Sequence, residues 1–301
     1  MTADTTGYYQ GKICIVTGGN SGIGYALAEE LLKRGASVYL LGRNPEKVAA
    51  AATRLAAYGG RVRTLVADVT DQAQVRTAIE GAAAEAGRLD LLFNNAGVGL
   101  TVPFDRIGLD EMRAIIDANL WSVLYGTHAA VPIMLRQGSG QIVNTSSIGG
   151  LVPVPFQSMY NTTKFAVTGL SESLRYEYAA RGISFSAVCP FFIASAIFSK
   201  GLDGSTGDQG IPEGAYPADL AATFILDRVA ERQGVIVVPE EPFLGLWRGY
   251  ANGDPGMEAF ILEMAKMRGQ QVERGETPTA VPPLPRMTAG AGPAERGAGQ
   301  E

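Results

Sequence analysis

Tyr160 and Lys164 stand four residues apart at the head of a helical stretch, which puts both side chains on one face. An ammonium beside a phenol favours the phenolate and draws a pKa of about 10 toward neutrality, where the phenol can give and take a proton. Pairs of this kind are also common on exposed helices, so the pair takes its meaning from its surroundings. Upstream, Thr17-Gly18-Gly19-Asn20-Ser21-Gly22-Ile23-Gly24 falls where an apolar β-branched run gives way to a helical pattern. Glycines there let the backbone turn tightly and approach a pyrophosphate, whose charge is stabilised by free N–H groups and the positive end of the helix dipole. The spacing is Gly-x-x-x-Gly-x-Gly, not the general Gly-x-Gly-x-x-Gly.

Such residues need a scaffold that brings distant loops together. Short β-branched runs at Lys12–Thr17, Ser37–Leu41, Arg61–Val66, Leu89–Phe93, Gly140–Thr145, Ile183–Cys189 and Val235–Val238 alternate with helical stretches. The helices begin near Ile23, Pro45, Asp71, Asp110, Gln157 and Pro217, several just after a side chain able to cap them. The alternation predicts an α/β, doubly wound, three-layer fold around a parallel sheet of about seven strands. With 301 residues, 46% of them hydrophobic, the chain can bury one main core. We expect a catalytic domain over residues 1–240, a helical extension over 241–274 and a disordered tail over 275–301, where Pro, Gly, Ala and Glu dominate.

A net charge of −5 and a pI near 5.2 argue against a nucleic-acid partner, because such domains usually carry a basic face. No apolar run approaches the roughly 18 residues that cross a bilayer, and the first residues lack the pattern of a signal peptide, so a cytoplasmic protein without a membrane partner is expected. Cys14 and Cys189 sit in apolar runs without metal-ligand spacing, which predicts buried free thiols and no metal.

With the glycine loop, Tyr160 and Lys164 in this order, the sequence resembles the short-chain dehydrogenase/reductase family, in the branch with small one-domain subunits and a Rossmann fold. The resemblance runs from about Gly11 to Pro239. It implies that Gly18, Asn20, Ser21, Gly22, Ile23 and Gly24 hold the cofactor, that Asp68 and Val69 contact adenine, and that Asn95, Ala96 and Gly97 (after Asn94) shape the cofactor floor. Asn119 matches the asparagine that anchors a proton-relay water. Ser147, thirteen residues before Tyr160, matches the serine that bonds the substrate oxygen, with Ser146 its bland neighbour. The resemblance further implies hydride transfer from the pro-S face of a reduced nicotinamide, proton transfer by Tyr160, and a bond from Lys164 to the nicotinamide ribose.

One departure stands out. Where the family has Pro-Gly, this chain reads Pro190-Phe191-Phe192-Ile193-Ala194-Ser195. Phe191 lacks glycine's freedom at positive φ, so the backbone is expected to take a different path, with Pro190, Ile193 and Ser195 still against the cofactor. Leu41-Gly42-Arg43-Asn44 carries no acid at the strand end, and Arg43 suits a 2′-phosphate, which favours NADP(H) over NAD(H). Phe191, Phe192, Ile197 and Phe198, with Leu151, Pro153, Phe156 and Met159, predict an apolar pocket for a bulky hydrophobic or aromatic alcohol or ketone. Gly201, Gly204, Gly207 and Gly210 read as a lid within a substrate loop at about 191–215. His128 is assigned to packing or a subunit interface. The resemblance also implies a homodimer or homotetramer built on the helices carrying Asn119 and Tyr160.

Overall fold

The strands β1 (Ile13–Thr17), β2 (Ser37–Gly42), β3 (Val62–Val66), β4 (Leu91–Asn94), β5 (Gly140–Thr145), β6 (Ile183–Pro190) and β7 (Val235–Val238) form one sheet in the order β3-β2-β1-β4-β5-β6-β7. The computed structural model describes residues 7–195 and 214–285. Every pairing is parallel; Val16, for example, faces Leu40 on one side and Phe93 on the other. Parallel strands buried on both faces need unbroken apolar runs, and Cys14, Ile15 and Val16 are each fully buried.

Alternation along the strands divides the core. Cys14 and Val16 join Leu27 and Leu31 of α1 (Gly22–Lys33), Val48 of α2 (Pro45–Arg54) and Ile225 of α7 (Ala218–Ala230). Ile15 faces the opposite way, onto Val75 and Ile79 of α3 (Gln72–Ala86) and Ile133 of α5 (Ser122–Gln137). The result is the doubly wound three-layer arrangement that the strand pattern predicts. Local chemistry fixes the helix ends: Asn44 Oδ1 accepts from Lys47 N at 2.7 Å with Pro45 in the first turn, and Asp71 accepts from Gln74 N at 3.0 Å.

The strand order reverses at the β1/β4 junction, so the loops leaving these two strands diverge and open a crevice at their carboxyl ends. The stretch containing Asn119 is not one uniform helix. It consists of α4 (Leu109–Ile116), a π turn (Asp117–Trp121) and α5, and the widened turn matches the pull of Asn119 toward the loop after β4.

Beyond β7 lie α8 (Phe243–Ala251) and α9 (Pro255–Glu273). Phe243, Leu246, Met257, Phe260 and Met264 form a third core with Ile148, Leu151 and Cys189. After Gly275 the chain turns back along α9, where Ala280 N donates to Gln271 Oε1 at 2.8 Å. Residues 196–213, which include Ile197, Phe198 and the four glycines read as a lid, lie outside the described residues, as do 286–301 of the tail.

Candidate active site

The glycine loop and the loop after β4 are sewn together by one hydroxyl. Thr17 Oγ1 accepts from Asn95 N at 2.9 Å and Ala96 N at 3.0 Å, while Asn95 Nδ2 returns a bond to Thr17 O at 3.1 Å. Gly18 is left-handed at φ +65, and a side chain there would sit 3.2 Å from Ala96 Cα. A Cβ on Gly24 would lie 2.6 Å from Asn95 Nδ2 and closer still to the Gly18 carbonyl, so the helix can approach only as glycine. Ser21 caps α1 in extended geometry without a side-chain cap bond, and the first turn carries no acid. The positive end of the helix therefore faces the crevice without a competing carboxylate, which fits a pyrophosphate. Ile23 packs toward the core, so its contribution to an anion is its main chain.

At the end of β2, Asn20 packs on Gly42: a Cβ there would lie 2.7 Å from Asn20 Oδ1 and 2.9 Å from Val48 Cγ2. Arg43 follows on the exposed surface. Asp68 Oδ1 accepts from Thr70 N at 2.9 Å and Thr70 Oγ1 at 2.8 Å, which fixes the turn after β3, and Val69 packs on the core beside it.

The reacting side chains converge next to this crevice. On α6 (Ser158–Glu177), Lys164 Nζ lies 5.6 Å from the centre of the Tyr160 ring. Lys164 is 3% exposed and donates to Thr145 O at 2.9 Å, while Ser146 Oγ donates to Lys164 O at 2.8 Å. The bland serine thus anchors the helix. Ser147 accepts from Gly149 N at 3.1 Å and also hydrogen-bonds the phenol. Asn119, fully buried, clamps Val98 by both main-chain groups (2.8 Å and 2.9 Å) and reaches Thr163 Oγ1 at 3.3 Å. Gly97 closes the group: a Cβ there would lie 2.9 Å from Asn119 Oδ1 and 3.6 Å from Lys164 Nζ. The loops after β4 and β5, the π turn and α6 therefore bring Asn119, Ser147, Tyr160 and Lys164 into one place.

The electrostatics correct one expectation. Burial pushes the Tyr160 phenol up, against the opposing pull of its Ser147 hydrogen bond, and burial pushes the Lys164 ammonium down to about 8. Desolvation thus outweighs the Ser147 hydrogen bond and leaves the phenol above its ordinary value. Cys189, behind the site, is a buried free thiol pushed up to about 12 by burial, and Cys14 is likewise free and buried. His128 is exposed on α5.

Residues 12–203 match the family model described as short chain dehydrogenase. The chain belongs to the short chain dehydrogenase family. It is an oxidoreductase of a family that works with a nicotinamide dinucleotide. Among similar proteins, D-threitol dehydrogenase of Mycolicibacterium smegmatis is 34% identical, over 71% of this chain and 85% of its own length. Cyclohexanol dehydrogenase of an Acinetobacter species is also 34% identical, over 64% and 77%. A solved short chain dehydrogenase/reductase from Burkholderia phymatum in complex with NAD superposes with a TM-score of 0.72 at 26% identity, covering 92% of this chain and 99% of that one. Levodione reductase gives 0.69 at 30% identity, covering 76% and 96%.

Within this short chain dehydrogenase, the segment after β6 takes its own course. Phe191 continues the sheet, its N–H donating to Val238 O at 2.9 Å, and the left-handed residue is Phe192 at φ 42. The Phe191 ring lies 4.3 Å from that of Phe192 and 4.0 Å from that of Phe243, so α8 supports a turn that glycine would make elsewhere. Pro190 ends the strand, and Ile193 is 3% exposed with its side chain in the core, leaving its main chain for the crevice. Ser195 approaches the glycine loop, its Cβ 3.0 Å from where a Gly22 side chain would stand. Three expected pocket residues lie elsewhere: Leu151 is buried in the third core, and Pro153 and Phe156 line a groove of about 570 Å³ with Phe165 and Ile261. That groove borders the face of α6 opposite Tyr160 and Lys164. Among the described residues no His, Cys, Asp or Glu cluster could hold a metal, and no helix is long and apolar enough to cross a membrane.

Proposed function

We propose that this enzyme interconverts a bulky, hydrophobic secondary alcohol and its ketone, with NADP(H) as cofactor. The observation that carries the reading is the convergence of Ser147, Tyr160 and buried Lys164 beside Gly97 at the strand-order reversal. The glycine cradle, the acid-free start of α1 and Ser195 beside Gly22 fit a dinucleotide pyrophosphate. When bound there, the dinucleotide supplies or accepts the hydride. Tyr160 gives its proton to the carbonyl oxygen during reduction and takes it back during oxidation. Ser147 donates a hydrogen bond to the same oxygen and holds it near the phenol. Lys164, on α6 and tied to Thr145 at the end of β5, would hold the nicotinamide ribose and stabilise the phenolate. Asn119 keeps the loop after β4 in place beside Lys164 and supports the proton path to solvent.

Arg43 and the side-chain-free Gly42 favour a 2′-phosphate over a ribose hydroxyl. The NAD-bound relative favours the second reading, an NAD-dependent alcohol dehydrogenase with the same chemistry. An alicyclic or aromatic ketone is supported by the similarity to cyclohexanol dehydrogenase and by the aromatic cluster of Phe191, Phe192 and Phe243. We further read residues 1–240 as the catalytic unit, 241–274 as an extension and 275–301 as a tail, and the protein as a cytoplasmic homodimer or homotetramer. Exposed Trp121 in the π turn before α5, with Phe165 and Tyr176 on α6, supports assembly through these elements.

The test is titration with NADPH and NADH, then turnover of alicyclic and aryl ketones followed by nicotinamide absorbance. NADPH-preferring turnover is expected. Preference for NADH would remove the role given to Arg43, and binding without turnover of any ketone would favour a cofactor-sensing protein.

A further inference from the structure

Arg268 lies in α9, beyond the residues matched by the family model, and is 3% exposed. Its Nε donates to Ala280 O at 2.9 Å and its Nη1 to Pro155 O at 2.9 Å. Among the described residues no carboxylate pairs with it, and burial alone pushes its pKa down to about 10. A guanidinium buried without a counter-charge costs stability, and an apolar side chain of similar volume would cost less. What the guanidinium adds is geometry, since a rigid fork can hold two main-chain carbonyls at once.

One of the two carbonyls belongs to the segment that leads into the catalytic helix. Pro155 precedes Phe156, a non-glycine residue at φ 64, and Phe156 precedes Gln157, the N-cap of α6 three residues before Tyr160. The same short turn is tied to the loop after β4, since Val102 N donates to Phe156 O at 2.8 Å and Gln157 Nε2 to Thr101 Oγ1 at 2.8 Å. α9 passes beside the Phe156 ring, whose Cζ would be 3.8 Å from a Cβ at Gly269, an ordinary contact distance. The turn is strained by its left-handed residue and needs outside support to persist.

We propose that Arg268 is a positioning residue for Tyr160, pinning the turn that leads into α6 from the C-terminal extension and the returning tail. The kinetic part of this proposal rests on the oxidoreductase reading above; the structural part does not. In Arg268→Met, kcat is expected to fall about tenfold well below the melting temperature, because small misplacements of a reacting group are costly. The dinucleotide Kd and the ketone KM should stay within about twofold of wild type. Arg268→Lys, which keeps a donor for one carbonyl, should recover part of the loss. Hydrogen exchange in the full chain gives a readout without turnover: the Val102 and Asn161 amides, which bond Phe156 O and Gln157 O, should exchange faster in Arg268→Met and partly recover in Arg268→Lys. If Arg268→Met does not fold, Arg268→Lys against wild type decides by the same two readouts. Unchanged exchange at both amides would overturn the proposal, as would a lowered melting temperature with kcat per folded site unchanged. If the wild type turned over no ketone, the function above would fail while the exchange result still judged Arg268.

Discussion

Around the ends of β1 and β4 the chain is held by contacts that leave no slack: a glycine at φ +65, a threonine hydroxyl shared by two amides, and a helix that approaches only without a Cβ. Around the end of β6 the corresponding turn is made by bulky residues, with Phe191 lying 4.0 Å from Phe243 and a non-glycine residue at φ 42. The first region is specified by local sterics, which few other residues satisfy. The second is specified by packing between segments far apart in sequence, which many apolar residues satisfy. The dinucleotide side should therefore respond to substitution through cofactor affinity, and the C-terminal side through stability and placement of the reacting groups.

The largest effect expected on that contrast comes from Phe243→Ala. It removes a side chain that is 7% exposed and should cost about 3–5 kcal/mol in a urea titration. Dinucleotide affinity should stay within about twofold if the two regions are independent, and a parallel loss of affinity would break the contrast. Gly24→Ala, which forces a Cβ against the Gly18 carbonyl, should lower dinucleotide affinity by about a hundredfold, read by nicotinamide fluorescence. Retention of wild-type affinity would show that the cradle has slack after all. Arg43→Ala should weaken NADPH by about tenfold and leave NADH within about twofold. Equal losses for both cofactors would remove its part in selecting them.

A further effect is a pH dependence. Lys164 titrates near 8 in the folded protein against an ordinary 10.5, so between those values the unfolded chain holds a proton that the native protein lacks. Stability then rises with pH across that window, by at most about 1.4 kcal/mol per pH unit. Without dinucleotide, wild type should gain on Lys164→Met as pH is raised from about 8 to about 10, measured by urea unfolding. A difference that stays flat would mean that Lys164 is not desolvated as its burial implies.

The same contrast decides what could be read from the sequence. The strand at Val235–Val238 has the bounds its apolar run predicts, because a strand covered on both faces is apolar throughout, and Gly140–Thr145 has its expected bounds although buried Gln141 and Asn144 flank its two apolar residues. Asn44-Pro45 and Asp71 mark their helix starts by local bonds. The π turn at Asp117–Trp121 was not legible, since it accompanies an Asn119 to Val98 contact 21 residues away in sequence. Nor was the downward shift of Lys164, which comes from burial by several elements at once. Phe191 signalled a changed backbone path, but the left-handed conformation fell on Phe192. Arg268 looked like any charged residue on a helix, and its bond to Pro155 spans 113 residues.

The most direct test of the central claim is a single-turnover experiment with reduced dinucleotide bound in excess enzyme and an alicyclic ketone, comparing wild type with Tyr160→Phe. The account predicts that the variant binds the dinucleotide as wild type does but loses hydride transfer by about a thousandfold, with Ser147 and Lys164 still in place. Transfer at the wild-type rate in Tyr160→Phe would contradict it.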